Sequence, residues 1–291
     1  MFSGSYVALV TPMMEDTSID YQAVEQLLEW HLSAGTDGLV ILGSTGEGAA
    51  ITTSERDRYV RFVVDFIDSR IPVIAGAGTN VTKTTIELAQ QTVDLGVDGL
   101  LLVTPYYVRP TQEGLYQHFA KIAETINKPI ILYNVPSRTG CDLLPITVGR
   151  LAKLAPIVGL KDATAQLARV AEYRALCGND FLLFSGDDTT CLDFMLAGGN
   201  GVITVTGNIA PEQMQALCAE ALNGSAELAH NLQNLLLPAH AVMGIESNPI
   251  PVKWALAQKC YIKDILRLPL TPLSVVAQSK VGQTLKQAGL L

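Results

Sequence analysis

The sequence predicts an α/β fold, a (β/α)8 TIM barrel with a C-terminal helical extension. Short apolar runs rich in β-branched residues recur along the first 205 residues, separated by segments long enough to form helices. Eight strands at intervals of roughly 20 to 35 residues are the rhythm of this barrel. The runs occupy residues 6–10, 38–42, 72–75, 99–103, 129–133, 157–160, 181–185 and 201–205.

Glycine recurs where a predicted helix ends and the next strand begins. Residues 34–40, 95–101 and 198–202 are three versions of one junction, each with Gly ahead of an apolar run. Between the strands, Thr52 and Glu55 form a capping-box pattern before apolar residues at helical spacing. A Rossmann fold is the rival, but no G-x-G-x-x-G pattern follows the first strand.

The strand pattern ends near residue 224. We therefore expect two parts, a catalytic barrel over residues 1–224 and a C-terminal helical domain over residues 225–291. The second part reads as three helical segments near 225–240, 251–260 and 272–288, with Pro249 and Pro251 breaking the chain between the first two.

Composition indicates a globular protein that acts on small molecules. The 291 residues are 48% hydrophobic and 16% charged, with a net charge of -8 and no basic tract, so nucleic acid and membrane surfaces are not expected partners. Neither a signal-peptide pattern nor a membrane-spanning run is present, which predicts a cytoplasmic location. The five cysteines are scattered and never in a C-x-x-C spacing, so we expect small core or surface residues.

The run 157–160 is followed directly by Lys161. A lysine at the end of a buried strand is poorly solvated, which favours the neutral, nucleophilic amine that forms Schiff bases. A lysine in this position is more often a solvated strand end. Tyr133 closes the preceding strand, and because neighbouring strands lie about 4.8 Å apart, the two side chains are predicted side by side at the barrel mouth. A phenol beside an amine provides the proton transfer that imine formation needs.

Two other strand ends carry groups that can hold a carboxylate. The loop 43–46 is either an ordinary turn or an anion site, in which glycines expose backbone N–H groups and Ser44 and Thr45 add hydroxyls. Arg138 follows the fifth strand and offers a planar fork for a carboxylate. Asp187 and Asp188 follow the seventh strand, where we expect them to cap the next helix.

The histidines disfavour a metal-dependent mechanism. His31, His118, His230 and His240 are far apart, none ends a predicted strand, and we expect them on helix surfaces. No P-loop is present. We therefore expect no metal and no cofactor, with carbon–carbon chemistry running through a covalent imine on Lys161.

Five motifs in order resemble the dihydrodipicolinate synthase family, and the resemblance covers essentially the whole chain. It implies a class I, pyruvate-dependent aldolase that condenses pyruvate with aspartate 4-semialdehyde in lysine and diaminopimelate biosynthesis. It also implies a homotetramer built as a dimer of dimers. The motifs are Gly-Ser-Thr-Gly-Glu at 43–47, Thr-Pro-Tyr-Tyr at 104–107, Tyr-Asn-Val-Pro-Ser-Arg-Thr-Gly at 133–140, Gly-Leu-Lys-Asp at 159–162 and Asn-Pro-Ile-Pro-Val-Lys-Trp at 248–254.

The resemblance also implies the catalytic roles. Lys161 forms the imine with pyruvate and Tyr133 is the acid and base. Thr45 relays protons between Tyr133 and Tyr107, and Tyr107 is contributed by the neighbouring subunit.

Substrate binding is implied in the same way. Ser44 and Thr45 bind substrate, Arg138 holds the carboxylate of the semialdehyde at the entrance, and the backbones of Gly186 and Ile203 contact substrate near the lysine. Synthases more often have Thr in place of Ser44, and a Gly-Ser-Thr-Gly-Glu loop is also common in N-acetylneuraminate lyases. Arg138 favours the synthases, because the lyases usually lack this arginine.

A regulatory pocket for lysine is also implied at a dimer interface. Lysine-sensitive members commonly have His in place of Arg56 and Glu in place of Thr84, so this chain gains a fixed positive charge and loses a carboxylate. We expect weak or absent inhibition by lysine, unless Glu55 points into the pocket. The implied positions are Ala49, Ile51, Thr53, Arg56, Gly78, Asn80, Thr84 and Tyr106.

Two alternatives stay open. A sister aldolase, such as N-acetylneuraminate lyase or a 2-keto-3-deoxy sugar acid aldolase, would keep Lys161 and Tyr133 but accept a longer polyhydroxylated partner. A non-enzymatic paralogue acting as a metabolite sensor would be expected to lose one of these two residues, and both are present.

Overall fold

The computed structural model describes residues 2–291 and contains a closed barrel of eight parallel strands in sequence order. The first strand pairs with the last, which closes the barrel. All eight predicted strands are present, so the predicted TIM barrel is confirmed. The strands are β1 (Gly4–Ala8), β2 (Gly38–Ile41), β3 (Val73–Gly76), β4 (Gly99–Val103), β5 (Ile130–Asn134), β6 (Ile157–Asp162), β7 (Leu182–Ser185) and β8 (Gly201–Thr204).

Helices connect the strands and cover the barrel. The predicted capping box is confirmed at the start of the second helix, where Thr52 and Glu55 each bond the other's backbone N–H. The helices are α1 (Tyr21–Ser33), α2 (Thr53–Ile67), α3 (Thr82–Asp94), α4 (Gln112–Ala123), α5 (Pro136–Thr139), α6 (Pro145–Leu151), α7 (Ala168–Cys177), α8 (Cys191–Leu196), α9 (Pro211–Leu222), α10 (Ala226–Met243), α11 (Ile250–Gln258) and α12 (Val275–Gln287).

Two hydrophobic cores hold the barrel. The larger one lies between the strands and the surrounding helices. The smaller one fills the interior of the barrel and includes the large side chains of Tyr6 and Phe184, whose rings pack edge to face. Because the interior is filled, a ligand cannot bind inside the barrel, and the C-terminal ends of the strands above it are where a site is expected.

The three predicted C-terminal helical segments correspond to α10, α11 and α12. Helix α10 packs against α9 and α12, so the extension is continuous with the last helix of the barrel. The division into residues 1–224 and 225–291 remains our proposal. No helix within residues 2–291 is long and apolar enough to cross a membrane.

The histidine expectation is wrong for three of four residues. His31, His118 and His240 lie on helices but are buried, because each occupies the face that packs inward, and only His230 is exposed. Burial lowers the pKa of His31 to about 4, so the ring is neutral and bonds Thr36. The cysteines are free thiols, three of them buried, one half-buried and one exposed, as expected.

Candidate active site

Lys161 and Tyr133 lie side by side at the C-terminal mouth of the barrel. The strands β5 and β6 are paired in a register that places Tyr133 directly beside Lys161. The ammonium nitrogen Nζ of Lys161 lies 4.5 Å from the centroid of the Tyr133 ring. The predicted juxtaposition is therefore present, since both side chains share one side of neighbouring strands.

The environment of Lys161 favours a neutral amine. Its side chain is only 6% exposed. Burial lowers the pKa of Lys161 to about 8; the charge of Asp188 opposes this shift, and that of Arg138 adds to it. A lysine of this kind is uncharged more often than an ordinary one and is able to act as a nucleophile near neutral pH.

The pKa of Tyr133 is shifted in the opposite direction, upward. Burial raises its pKa, while the nearby charge of Arg138 and a hydrogen bond with Ser44 lower it. The phenol is therefore protonated at neutral pH, with two neighbours that stabilise the phenolate when a proton leaves. This is the behaviour required of a group that donates and then recovers a proton.

The loop after β2 brings Ser44 and Thr45 to the same mouth. A Cβ on Gly46 would lie 2.9 Å from the backbone nitrogen of Leu42, so glycine is required for the loop to fold back on itself. The Thr45 hydroxyl is buried and accepts a hydrogen bond from Nδ2 of Asn248 over 2.9 Å. The close approach at Gly46 and the hydrogen bond to Thr45 therefore hold the loop in one conformation.

A cavity of about 350 Å³ opens above Lys161. This volume is within the range of small-molecule sites. A Cβ on Gly186 would lie 3.0 Å from Cε of Lys161, so glycine leaves room for the lysine side chain. Six residues predicted for the site lie in the cavity wall: Ser44, Thr45, Tyr133, Arg138, Lys161 and Gly186.

Arg138 lies at the rim of this cavity. Its side chain is exposed, and Nη2 donates a hydrogen bond to the backbone oxygen of Asn248 over 3.2 Å. It forms no salt bridge within residues 2–291. Its charge is therefore available to an anionic ligand that enters the cavity.

Two predicted site residues are elsewhere in this protomer. Tyr107 is 88% exposed and outside the cavity wall, and its backbone N–H donates to the oxygen of Thr139. Ile203 is buried in the barrel interior, below the cavity. No hydrogen bond joins Thr45 and Tyr107 within residues 2–291.

The capping expectation for Asp187 and Asp188 is wrong, because α8 begins after Thr190 and no side chain caps it. Asp187 accepts hydrogen bonds from the backbone and hydroxyl of Thr190, just before α8. Asp188 instead accepts from the backbone N–H groups of Val205 and Thr206, after β8. The difference arises because β7 and β8 are neighbours, which brings the next strand end within reach of Asp188.

The cavity wall also contains polar residues that were not predicted for the site, among them Asp188, His240 and Asn248. His240 and Asn248 come from the C-terminal extension, about 80 residues beyond Lys161 in the chain. His240 bonds Thr206 through Nδ1 over 2.8 Å. The fifth motif, 248–254, contains Asn248, but no spacing rule places this motif at the barrel mouth.

Among the described residues, no group of three or more His, Cys, Asp and Glu is placed to hold a metal ion.

A second cavity of about 570 Å³ adjoins the first and shares Ser44, Tyr133 and Arg138 with it. Asn80 alone among the positions implied for regulation is outside its wall. The positions in the wall are Ala49, Ile51, Thr53, Arg56, Gly78, Thr84 and Tyr106.

Arg56 places a positive charge in this second cavity. Its side chain is buried, and Nη1 donates to the backbone oxygen of Gly76 over 2.6 Å. Burial lowers the pKa of Arg56 to about 10, which leaves it charged at neutral pH. Glu55 does not point inward, because it is paired with Arg267 and bonded to Thr52. The only acidic side chain in the described wall is Glu87, which is exposed and lies 3.8 Å from Lys83.

Comparison with known proteins agrees with this geometry. The model of the dihydrodipicolinate synthetase family matches residues 1–288. The chain belongs to this family. Two relatives named 4-hydroxy-tetrahydrodipicolinate synthase are similar over the whole chain. The protein of Coxiella burnetii is 53% identical over 290 residues, 100% of this chain and 99% of its own. That of Escherichia coli is 49% identical over 292 residues, 100% of both chains.

Solved structures of family members have the same fold. The dihydrodipicolinate synthase of Thermotoga maritima superposes with a TM-score of 0.98 at 41% identity, covering 100% of both chains. The chloride-inhibited synthase of Acinetobacter baumannii, complexed with pyruvate, also gives 0.98, at 46% identity and the same coverage. A monomeric variant of a dihydrodipicolinate synthase gives 0.97 at 41% identity, covering 100% of this chain and 98% of its own. This family member is therefore an enzyme of the pyruvate-dependent aldolase type.

Proposed function

We propose that this enzyme carries out the 4-hydroxy-tetrahydrodipicolinate synthase reaction through a Schiff base on Lys161. The observation that carries the proposal is the pairing of Lys161 and Tyr133 on neighbouring strands, at the wall of one cavity. The substrates are pyruvate and aspartate 4-semialdehyde. No cofactor is required, because the imine itself withdraws electrons from the pyruvate methyl group.

The reaction begins at the amine of Lys161. With a pKa of about 8, roughly one tenth of this amine is uncharged at pH 7, against well under a thousandth for an ordinary lysine. The neutral amine adds to the keto carbon of pyruvate, and the carbinolamine loses one water to give the imine. Tyr133 donates the proton that leaves with this water.

Carbon–carbon bond formation follows from the imine. Loss of a proton from the methyl carbon gives an enamine, whose carbon attacks the aldehyde carbon of the second substrate. The aldehyde oxygen takes up a proton and becomes the hydroxyl of the product. The amino group derived from the semialdehyde then adds to the imine carbon and displaces Lys161, which closes the ring. The net reaction releases one water and restores the free amine.

Substrate selection is assigned to the two ends of the cavity. The loop that carries Ser44 and Thr45 supplies hydroxyl and backbone N–H groups for the pyruvate carboxylate. Arg138 at the rim binds the carboxylate of the semialdehyde, since its exposed guanidinium has no acidic partner among the described residues. Gly186 leaves space beside Lys161, and the backbone of Ile203 is assigned a supporting contact below the cavity.

Tyr107 and the oligomer belong to the same proposal. A tyrosine that is 88% exposed outside its own cavity is available to a neighbouring subunit, and we assign it to the neighbour's proton relay through Thr45. The assembly proposed is a cytoplasmic homotetramer, a dimer of dimers.

Mixing the Tyr107→Phe and Lys161→Ala variants tests whether two subunits share a site. The hybrid dimers should contain some sites with both defects and others with neither. Activity that only averages the two parents would contradict a shared site.

The function is tested with an aldehyde panel. Turnover of pyruvate with aspartate 4-semialdehyde should exceed that with N-acetylmannosamine or sugar aldehydes by orders of magnitude. Preference for a polyhydroxylated aldehyde would favour the sister-aldolase alternative, and absence of turnover with every aldehyde would favour the non-enzymatic one. The 53% identity to a synthase disfavours both alternatives.

A further inference from the structure

Arg138 lies on a short segment whose two ends are joined by one side chain. This segment, residues 135–143, is called the Arg138 loop below; it follows β5 and contains the helix α5. The last residue of β5, Asn134, is fully buried. Its Oδ1 accepts a hydrogen bond from the backbone N–H of Leu143 over 3.0 Å, and its Nδ2 donates to Oδ1 of Asp142 over 2.8 Å. The beginning and the end of the loop therefore meet at Asn134.

Asp142 joins the Arg138 loop to the element that follows Lys161 in the chain. The guanidinium of Arg169 donates to both carboxylate oxygens of Asp142, from Nη1 to Oδ1 over 2.8 Å and from Nη2 to Oδ2 over 2.6 Å. Arg169 is buried on α7, the helix that follows β6, and β6 carries Lys161. Two parallel N–H···O bonds of this kind fix direction as well as distance. The end of the Arg138 loop is therefore held in a fixed place relative to the strand of Lys161.

A second contact, from α4, holds the backbone of the same segment. Nε2 of Gln112 donates to the backbone oxygen of Asp142 over 2.6 Å. Oε1 of Gln112 accepts from the backbone N–H of Leu144 and from the hydroxyl of Thr147. None of these bonds involves the carboxylate of Asp142. A substitution of the Asp142 side chain should therefore change the link to α7 while the chain around residue 142 stays folded.

We propose that Asp142 is a positioning residue that holds Arg138 in the orientation needed to bind the carboxylate of the semialdehyde. The inference rests on the proposed function, in which Arg138 binds this group. The Arg138 side chain is exposed, and its one hydrogen bond within residues 2–291 goes to the backbone oxygen of Asn248 over 3.2 Å. One long bond orients a guanidinium weakly. The direction of Arg138 therefore depends on the backbone of its loop, which Asp142 holds through Arg169.

The charge of Asp142 is what makes the link to Arg169 bidentate. The hydrogen bond from Arg169 lowers the pKa of Asp142, and that from Asn134 adds to the effect, so the group is a carboxylate at neutral pH. An amide in its place has one acceptor oxygen and one NH2 group. Because both oxygens of Asp142 face donors, the NH2 group of an asparagine would face a donor in either orientation. Asp142→Asn thus removes the paired bonds in nearly the same shape.

The experiment compares Asp142→Asn, Arg138→Ala and the double variant in the full-length enzyme. Asp142→Asn should raise KM for aspartate 4-semialdehyde roughly 5- to 30-fold, as loss of one charge-assisted contact predicts. The rate of pyruvate imine formation should stay within about twofold of wild type, because Lys161 keeps its own surroundings. Adding Asp142→Asn to Arg138→Ala should raise KM no further, since the group that Asp142 positions is gone.

A matched control removes a similar contact outside the loop. Glu113 on α4 pairs with Arg150 over 2.8 Å and makes no hydrogen bond to the Arg138 loop within residues 2–291. Glu113→Gln removes the same charge and should leave KM for the semialdehyde unchanged. Arg169→Lys keeps the positive charge without the planar fork and should raise this KM as Asp142→Asn does. It therefore tests the same link should Asp142→Asn fold poorly, with Tm as the measure of folding.

The outcomes separate positioning from a structural role and from the proposed function. Wild-type enzyme that does not turn over the semialdehyde would refute the function itself. With an active wild type, an unchanged KM in both Asp142→Asn and Arg169→Lys would overturn this inference alone. Equal damage to imine formation and to KM would show that Asp142 is structural. Increases in KM from Asp142→Asn and Arg138→Ala that multiply in the double variant would show that Asp142 does not act through Arg138.

Discussion

Lys161 and Tyr133 face one another across strands β6 and β5, with the lysine nitrogen 4.5 Å from the centre of the tyrosine ring. Burial disfavours the charged form of each side chain. The charged form of lysine is the protonated one and that of tyrosine is the deprotonated one, so burial shifts the two pKa values in opposite directions. It lowers the pKa of Lys161 and raises that of Tyr133. A neutral nucleophile and a protonated acid therefore coexist near neutral pH.

The pH dependence of imine formation follows from this pair. The rate of pyruvate imine formation should rise about tenfold per pH unit below a midpoint near 8 and level off above it, because only the neutral amine reacts. Stopped-flow measurement from pH 6 to 10 tests this. Asp188→Asn should move the midpoint to lower pH, because the Asp188 charge stabilises the ammonium form.

Asp187→Asn is the matched control for that shift. Asp187 carries the same charge in the adjacent position, but its carboxylate bonds Thr189 and Thr190. Its removal should leave the midpoint in place. A midpoint near 10.5 in the wild type, or equal shifts in both variants, would disprove the assigned electrostatics.

Arg138→Ala should separate the two half-reactions. Imine formation with pyruvate should stay within about threefold of the wild-type rate, while KM for aspartate 4-semialdehyde rises roughly 10- to 100-fold, as loss of a charge-assisted contact worth about 1.5 to 3 kcal/mol predicts. Arg138→Lys retains the charge without the planar fork and should give an intermediate KM. Equal damage to both half-reactions would show that Arg138 is structural.

Lysine should inhibit weakly or not at all. Arg56 is charged in the second cavity, Thr84 is neutral, and Glu55 is held by Arg267. A ligand with two positive charges meets one repulsion and lacks one ion pair, each worth about 1 to 3 kcal/mol in a partly buried pocket.

Titration with lysine at neutral pH provides the measurement. Half-inhibition should require well above about 1 mM, and the double variant Arg56→His, Thr84→Glu should be the more sensitive enzyme. Half-inhibition of the wild type below about 1 mM, with lysine bound in that cavity, would refute the prediction.

The buried ion pair of Glu47 and Lys253 should matter for stability. Lys253→Met leaves the Glu47 carboxylate uncompensated, and we expect a loss of about 3 to 5 kcal/mol in the free energy of unfolding, measured with urea. The double variant Glu47→Gln, Lys253→Met should lose less, because no charge stays buried. A double variant less stable than the single one would contradict this account.

The fold and the reactive pair were predictable because they depend on local patterns. Apolar β-branched runs specify strands, and consecutive parallel strands place Tyr133 and Lys161 together. Asn248 was not placed, because its bond to Thr45 joins positions 203 residues apart. The buried histidines were misassigned because they were treated as polar surface residues, although His31 follows Leu27 and Leu28 at the spacing of the buried face of α1. The proposed contact of Tyr107 with a neighbouring subunit stays a prediction, because neither one sequence nor one protomer places a second subunit.

The proposed reaction depends on imine formation at Lys161. Incubation with pyruvate and borohydride, followed by peptide mass analysis, should locate one pyruvate-derived adduct on Lys161 and none in Lys161→Ala, with chelator present or absent. An adduct on another lysine, or an adduct that persists in Lys161→Ala, would contradict the account.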